Sequence, residues 1–180
     1  MKGRICTING KIPVIASDMN LVTDNEIPIN KIVNTYTISV KNKHTDGFYY
    51  STASFTENVE FNKEEGVEIK AVFLIGNSTI EYPLKENVIP AYNGVLIKSN
   101  KPVSLNFTST DKTLEYPILN NAVGFDNDYL PSQIIDMLPT ELRNRATVYS
   151  LSIVNGVINW YRARENVPCK KGKAVLIGFK

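Results

Sequence analysis

This chain has little of what most enzymes and metalloproteins need. Its 180 residues include a single histidine, His44, and two cysteines, Cys6 and Cys169. One imidazole excludes a multi-histidine metal site, and the two thiols lack the close Cys/His spacing of zinc ligands. A Cys–His nucleophile pair would need a thiol to reach His44 beside an oriented third group, and no spacing supports one. His44 sits in the polar stretch Asn42–Gly47 and reads as a solvated turn residue. There is no glycine-rich phosphate loop, and the many carboxylates are not paired by any glycosidase-like motif. The expectation is a chain with no catalytic residue, no metal and no cofactor.

Other shortages bound the setting. No apolar run approaches the length of a membrane span, so no membrane insertion is expected. Met1–Lys11 is basic but no apolar stretch follows it, so it does not read as a signal peptide. Either the natural product starts there or a signal was removed. Few cysteines favour two free thiols. The alternative, a Cys6–Cys169 bridge, would close a very long loop and stabilise by roughly 4–5 kcal/mol. A net charge of +2 is too small to argue for nucleic acid.

The distribution of that charge is more informative. Glu141–Lys180 holds eight basic residues against two acids, a local +6, and Asp46–Glu68 holds six acids against Lys63, a local −5. One reading is solvated strand faces. The other is a dipolar surface suited to packing beside copies of itself or a charged partner.

What is present is a β pattern organised around Val88–Lys98, V-I-P-A-Y-N-G-V-L-I-K. Pro90 fixes its own φ, Gly94 can adopt φ > 0, and Val95–Ile97 suits a buried strand. The layout returns in N-V-P-C-K-K-G-K-A-V-L-I, with Pro168 and Gly172 again four apart. These are expected to be equivalent structural corners of one fold. Asn9-Gly10 and Asn155-Gly156 mark two-residue hairpins, the first between Arg4–Ile8 and Lys11–Ala16. Ser17–Asn30 reads as a long surface connection. Asn34–Lys41 alternates as a half-buried strand, whereas Ile69–Ile75 is apolar enough to be covered on both faces. About a dozen short strands predict an all-β, antiparallel sandwich or barrel-like fold.

One segment departs from this pattern. Leu130, Ile134, Leu138 and Leu142 are spaced four apart, with Pro131 placed for a helix N1 position. Pro139 forbids one continuous helix, so a two-turn helix and a single further turn are expected within 130–144. The stripe either seals the end of the β core or docks on a partner. By domain, residues 1–45 read as an N-terminal hairpin and strand packed on a main module of residues 46–180.

Tyr49-Tyr50-Ser51-Thr52 with Phe55, Val59 and Phe61, the Val88–Lys98 signature, and Asn120-Asn121-Ala122-Val123-Gly124 follow one another in order. Y-S-L-S-I-V-N-G-V-I-N-W-Y-R-A, then V-P and G-K-A-V-L, close the series. Together they resemble a β-rich module common in surface-exposed and secreted proteins of Bacteroidetes, often at their C-terminal ends. The resemblance spans about residues 47–180; the Asp128–Asn144 segment is longer than that module's usual connection. It implies a non-catalytic domain for surface display or adhesion and transfers no catalytic residue.

The expected function is thus a structural or interaction module on a bacterial cell surface. Without an export signal, it would instead be a phage virion component, whose assembly needs no secretion. Its partner would be another protein or copies of itself, with a surface glycan as a further candidate. A carbohydrate-binding module is one alternative, with Trp160-Tyr161 beside Arg162 and Arg164 as its platform, although in a strand Trp160 and Tyr161 point to opposite faces and the competing reading is sheet packing. A small β-type protease inhibitor using the 128–144 insertion is another. The candidate interaction residues are Leu130, Ile134, Leu138, Trp160, Arg162, Arg164, Lys170 and Lys171.

Overall fold

The computed structural model describes residues 11–15, 21–28, 32–76, 78–115 and 120–179. Residues 1–33 form one compact unit and residues 34–180 another. In the first unit β1 (Lys11–Ile15) pairs antiparallel with β2 (Leu21–Pro28), with a register shift between Pro13 and Val14. Most of the stretch expected as a surface connection is therefore a strand. The Asp24-Asn25-Glu26 run has poor β-propensity, but a partner strand overrides so weak a preference. Arg4–Ile8, the Asn9-Gly10 turn and Cys6 lie outside the described residues.

The second unit stacks three antiparallel sheets. Its middle sheet contains β4 (Asn42–Lys43), β5 (Tyr49–Ser54), β7 (Val67–Ile75), β8 (Ser78–Pro83) and β10 (Gly94–Ser99), in the order β4-β5-β10-β7-β8. On one side lies the sheet of β3 (Thr35–Val40), β6 (Val59–Phe61), β9 (Val88–Ile89) and β11 (Val103–Ser109), ordered β3-β11-β6-β9. The third sheet joins β12 (Ala122–Val123), β13 (Ala146–Val154), β14 (Val157–Arg162) and β15 (Val175–Phe179) as β12-β15-β13-β14. The sequence grouped Thr35–Val40 with residues 1–45; in the structure β3 belongs to this second unit and pairs along β11 from Val40–Val103 to Thr35–Thr108.

The period of two explains the stack. Val95 and Ile97 of β10 join Ala53, Ile69 and Ala71 in a core against the β3-β11-β6-β9 sheet, which supplies Leu105 and Phe107. Leu96 and Val72 point the opposite way, toward Leu176 of the third sheet and Ala174 just before β15. A strand covered on both faces must be apolar at consecutive positions, which is why Val95, Leu96 and Ile97 are all fully buried. Each such side chain contributes about 1.5–3 kcal/mol by leaving water. The third sheet runs across the middle one. The Ala174 amide donates to Thr52 Oγ1 at β5 (3.1 Å), while a Cβ on Gly178 would run into Leu74 of β7.

The helical insertion forms α1 (Pro131–Asp136) and α2 (Thr140–Arg143), with Pro131 in the first turn and Pro139 as the α2 N-cap. The Leu130 amide donates to Gln133 Oε1 at 2.8 Å, satisfying one otherwise orphaned helix donor. Ile134 is buried with Val148, Ala163, Cys169 and Val175 on the far face of the third sheet. The insertion therefore seals the outer side of the stack.

Candidate functional site

The two Pro–Gly corners meet. The Gly172 carbonyl accepts from the Ser54 amide (3.2 Å), and the Lys173 carbonyl accepts from Ser54 Oγ (3.1 Å). Across the same strand end, the Tyr92 amide donates to the Phe55 carbonyl (2.7 Å) and the Tyr92 carbonyl accepts from Gly124 (2.9 Å). Asn120 Nδ2 donates to the Gly94 carbonyl at 2.6 Å, closing the seam between the middle and third sheets. Pro90 and Pro168 are both half-buried beside it.

The glycines of the two corners do different work. Gly172 has φ +75° with open space around it. Gly94 does not have positive φ, contrary to the expectation; Tyr92 takes that conformation, at φ 61°. Gly94 is required by proximity instead. A Cβ there would lie far inside van der Waals contact of the Ala174 Cβ and would also press on Ala122. Backbone approach, not turn geometry, selects glycine.

Most of the remaining candidates disperse, while Arg162 and Arg164 line a common hollow. Ile134 is 1% exposed and faces inward, so it cannot dock on a partner; Leu130 and Leu138 are half-buried. Trp160 lies opposite Leu151 and packs toward Val72, Leu96 and Leu176, with its Nε1 buried and without a partner among the described residues. Tyr161 lies opposite Ser150 on the other face. Arg162, opposite Tyr149, and Arg164 are exposed and form no ion pair among the described residues. Lys170 pairs with Asp128 (2.7 Å), and the Lys171 amide donates to the same carboxylate (2.7 Å). Lys170 and Lys171 therefore fasten the second corner to the start of the insertion.

The acidic stretch is locally compensated. Glu60 is paired with Lys112, Glu68 lies 2.7 Å from Lys70, and Asp46 accepts from Tyr50 Oη and the Phe48 amide. Lys98 sits 3.9 Å from the centre of the Phe48 ring. Glu64 and Glu65, at the β6–β7 turn, have no such partner among the described residues.

Thiol chemistry has no foothold at Cys169, which is free, buried, and has its pKa pushed up by burial. Among the described residues no group of three His, Cys, Asp or Glu side chains could hold a metal ion. No described helix is long and apolar enough to cross a membrane.

Two hollows remain. One, of about 370 Å³, opens between the first and middle sheets over Phe61, Val67, Leu84 and Phe107, with Lys63 and Glu64 lining it. The other, of about 430 Å³, lies between edge strands β8 and β14 and is lined by Leu74, Ser78, Thr79, Tyr149, Asn159 and Trp160. The sequence singled out Trp160 alone of this group. The two walls come from hairpins about 70 residues apart, and no local pattern announces their meeting.

The geometry defines a class: an all-β protein of stacked antiparallel sheets with a short helical insertion. Comparison with protein-family models, curated proteins and solved structures finds no match to this chain.

Proposed function

We propose that this chain is a non-catalytic structural module that works by packing against another protein or copies of itself, on a bacterial cell surface or a phage virion. The observation that carries the reading is the apolar character of two hairpin ends. Ile153, Val154 and Val157 flank the β13–β14 turn, and Ile75 and Ile80 lie near the β7–β8 turn; all five are 41–54% exposed. Apolar side chains grouped at exposed tips are the kind of surface that a neighbouring protein covers. The resemblance to surface modules of Bacteroidetes supports the same reading. As an inhibitor loop the 128–144 insertion is poorly suited, because Pro131 and Ile134 are buried beneath it.

Light scattering over a range of protein concentration tests self-packing. The expected result is mass growth with concentration that Val154→Ser with Val157→Ser abolishes at unchanged melting temperature. A strict monomer at high concentration would overturn self-packing and leave the hetero-partner form of the reading.

A further inference from the structure

We propose that the cleft between β8 and β14 is a binding site for a neutral saccharide, a function separate from packing at the hairpin tips. Its walls belong to different sheets. Leu74 and Thr79 are cross-strand partners on the face of the middle sheet turned to the third sheet. Tyr149 and Trp160 occupy the facing side of β13 and β14, where Tyr149 pairs with Arg162 and Trp160 with Leu151. The cleft lies where edge strand β8 of the middle sheet meets edge strand β14 of the third.

The lining has a specific chemistry. Trp160 and Tyr149 are each partly exposed and offer aromatic surface, while Ser78, Thr79 and Asn159 carry uncharged hydroxyl and amide groups. A pyranose presents the complement: an apolar C–H face and a rim of hydroxyls that both donate and accept. Among the described residues no charged side chain lines the cleft, so none of them would neutralise a carboxylate or an ammonium there. A cavity of about 430 Å³ falls in the range of small-ligand sites. The buried Trp160 Nε1 takes no part, because its donor is shut away from the opening. The exposed Arg162 neighbours the cleft without lining it.

Trp160 is the only tryptophan in the chain, so fluorescence excited selectively at tryptophan over tyrosine reports on this site. The experiment titrates the full chain with neutral gluco-, galacto-, manno- and xylo-configured oligosaccharides, with polygalacturonate as the charged counterpart. A saturable change with at least one neutral oligosaccharide is expected. Thr79→Lys should weaken it by roughly tenfold or more at an unchanged melting temperature, whereas Arg162→Ala should leave it intact. Ser78→Lys, at an exposed position, replaces Thr79→Lys should that variant fold poorly. No response to any neutral sugar, response to polygalacturonate alone, or undiminished response in the lysine variant would each overturn the proposal.

Discussion

Gly94 and Gly172 look interchangeable in the sequence, yet substitution should separate them. At Gly172 the strain is in the backbone, so alanine should cost about 1 kcal/mol and asparagine, which tolerates positive φ, less. At Gly94 the obstacle is the Ala174 methyl, so alanine should cost about 1–3 kcal/mol and asparagine at least as much. Chemical denaturation of the four variants checks this, and Ala174→Gly should recover part of the Gly94→Ala loss. Tyr82 poses a different residue-scale question. Its hydroxyl is buried with no partner among the described residues, and burial raises its pKa. Tyr82→Phe removes an unsatisfied polar group while keeping the ring. It should be neutral or stabilise by up to about 1 kcal/mol, read from the urea midpoint. A clear loss of stability would reveal a partner for that hydroxyl.

Among the elements, the helical insertion was legible because a four-residue apolar spacing and two prolines are local signals. Which function the stripe serves was not legible, since a sealing helix and a docking helix share one pattern. Ile134→Ala should cost about 2–5 kcal/mol, as befits a buried core position. Met137→Ser, at the C-cap of α1 and 52% exposed, should change stability by no more than about 0.5 kcal/mol. The second corner is tied to this element by Asp128. The hydrogen bond from Lys170, with that from the Lys171 amide, holds the Asp128 carboxyl below the usual carboxylate range. A carboxyl depressed in the folded state stabilises above its unfolded pKa, about 3.9, and loses that contribution as pH falls through its folded value. Asp128→Asn should therefore flatten the acid limb of stability against pH, while changing neutral-pH stability little because the pair is exposed. A series of urea midpoints from neutral pH down to about pH 3 checks both.

At the scale of the whole molecule, the charge opposition visible along the sequence shrinks on folding, as lysines distant in sequence reach acids. Glu60 with Lys112 and Asp128 with Lys170 are pairs 52 and 42 residues apart. Packing between copies should then depend on the apolar hairpin tips more than on steering between opposite ends. Light scattering should find self-association persisting at 1 M salt, where the Debye length is about 3 Å. Association lost at that salt would restore charge as its cause.

The sequence by itself determined the strand class, the Asn155-Gly156 hairpin, the doubly covered middle strands and the broken helix. Each rests on contacts between near neighbours or on a periodicity that one segment carries alone. Tertiary structure alone decided that β3 belongs with β11, that the two corners meet at Ser54, and that Gly94 answers to Ala174. It also decided that Trp160 faces Thr79 across a cleft between two sheets. These are contacts between positions dozens of residues apart. A side-chain pattern specifies which face of a strand is apolar, but not which other apolar face will cover it.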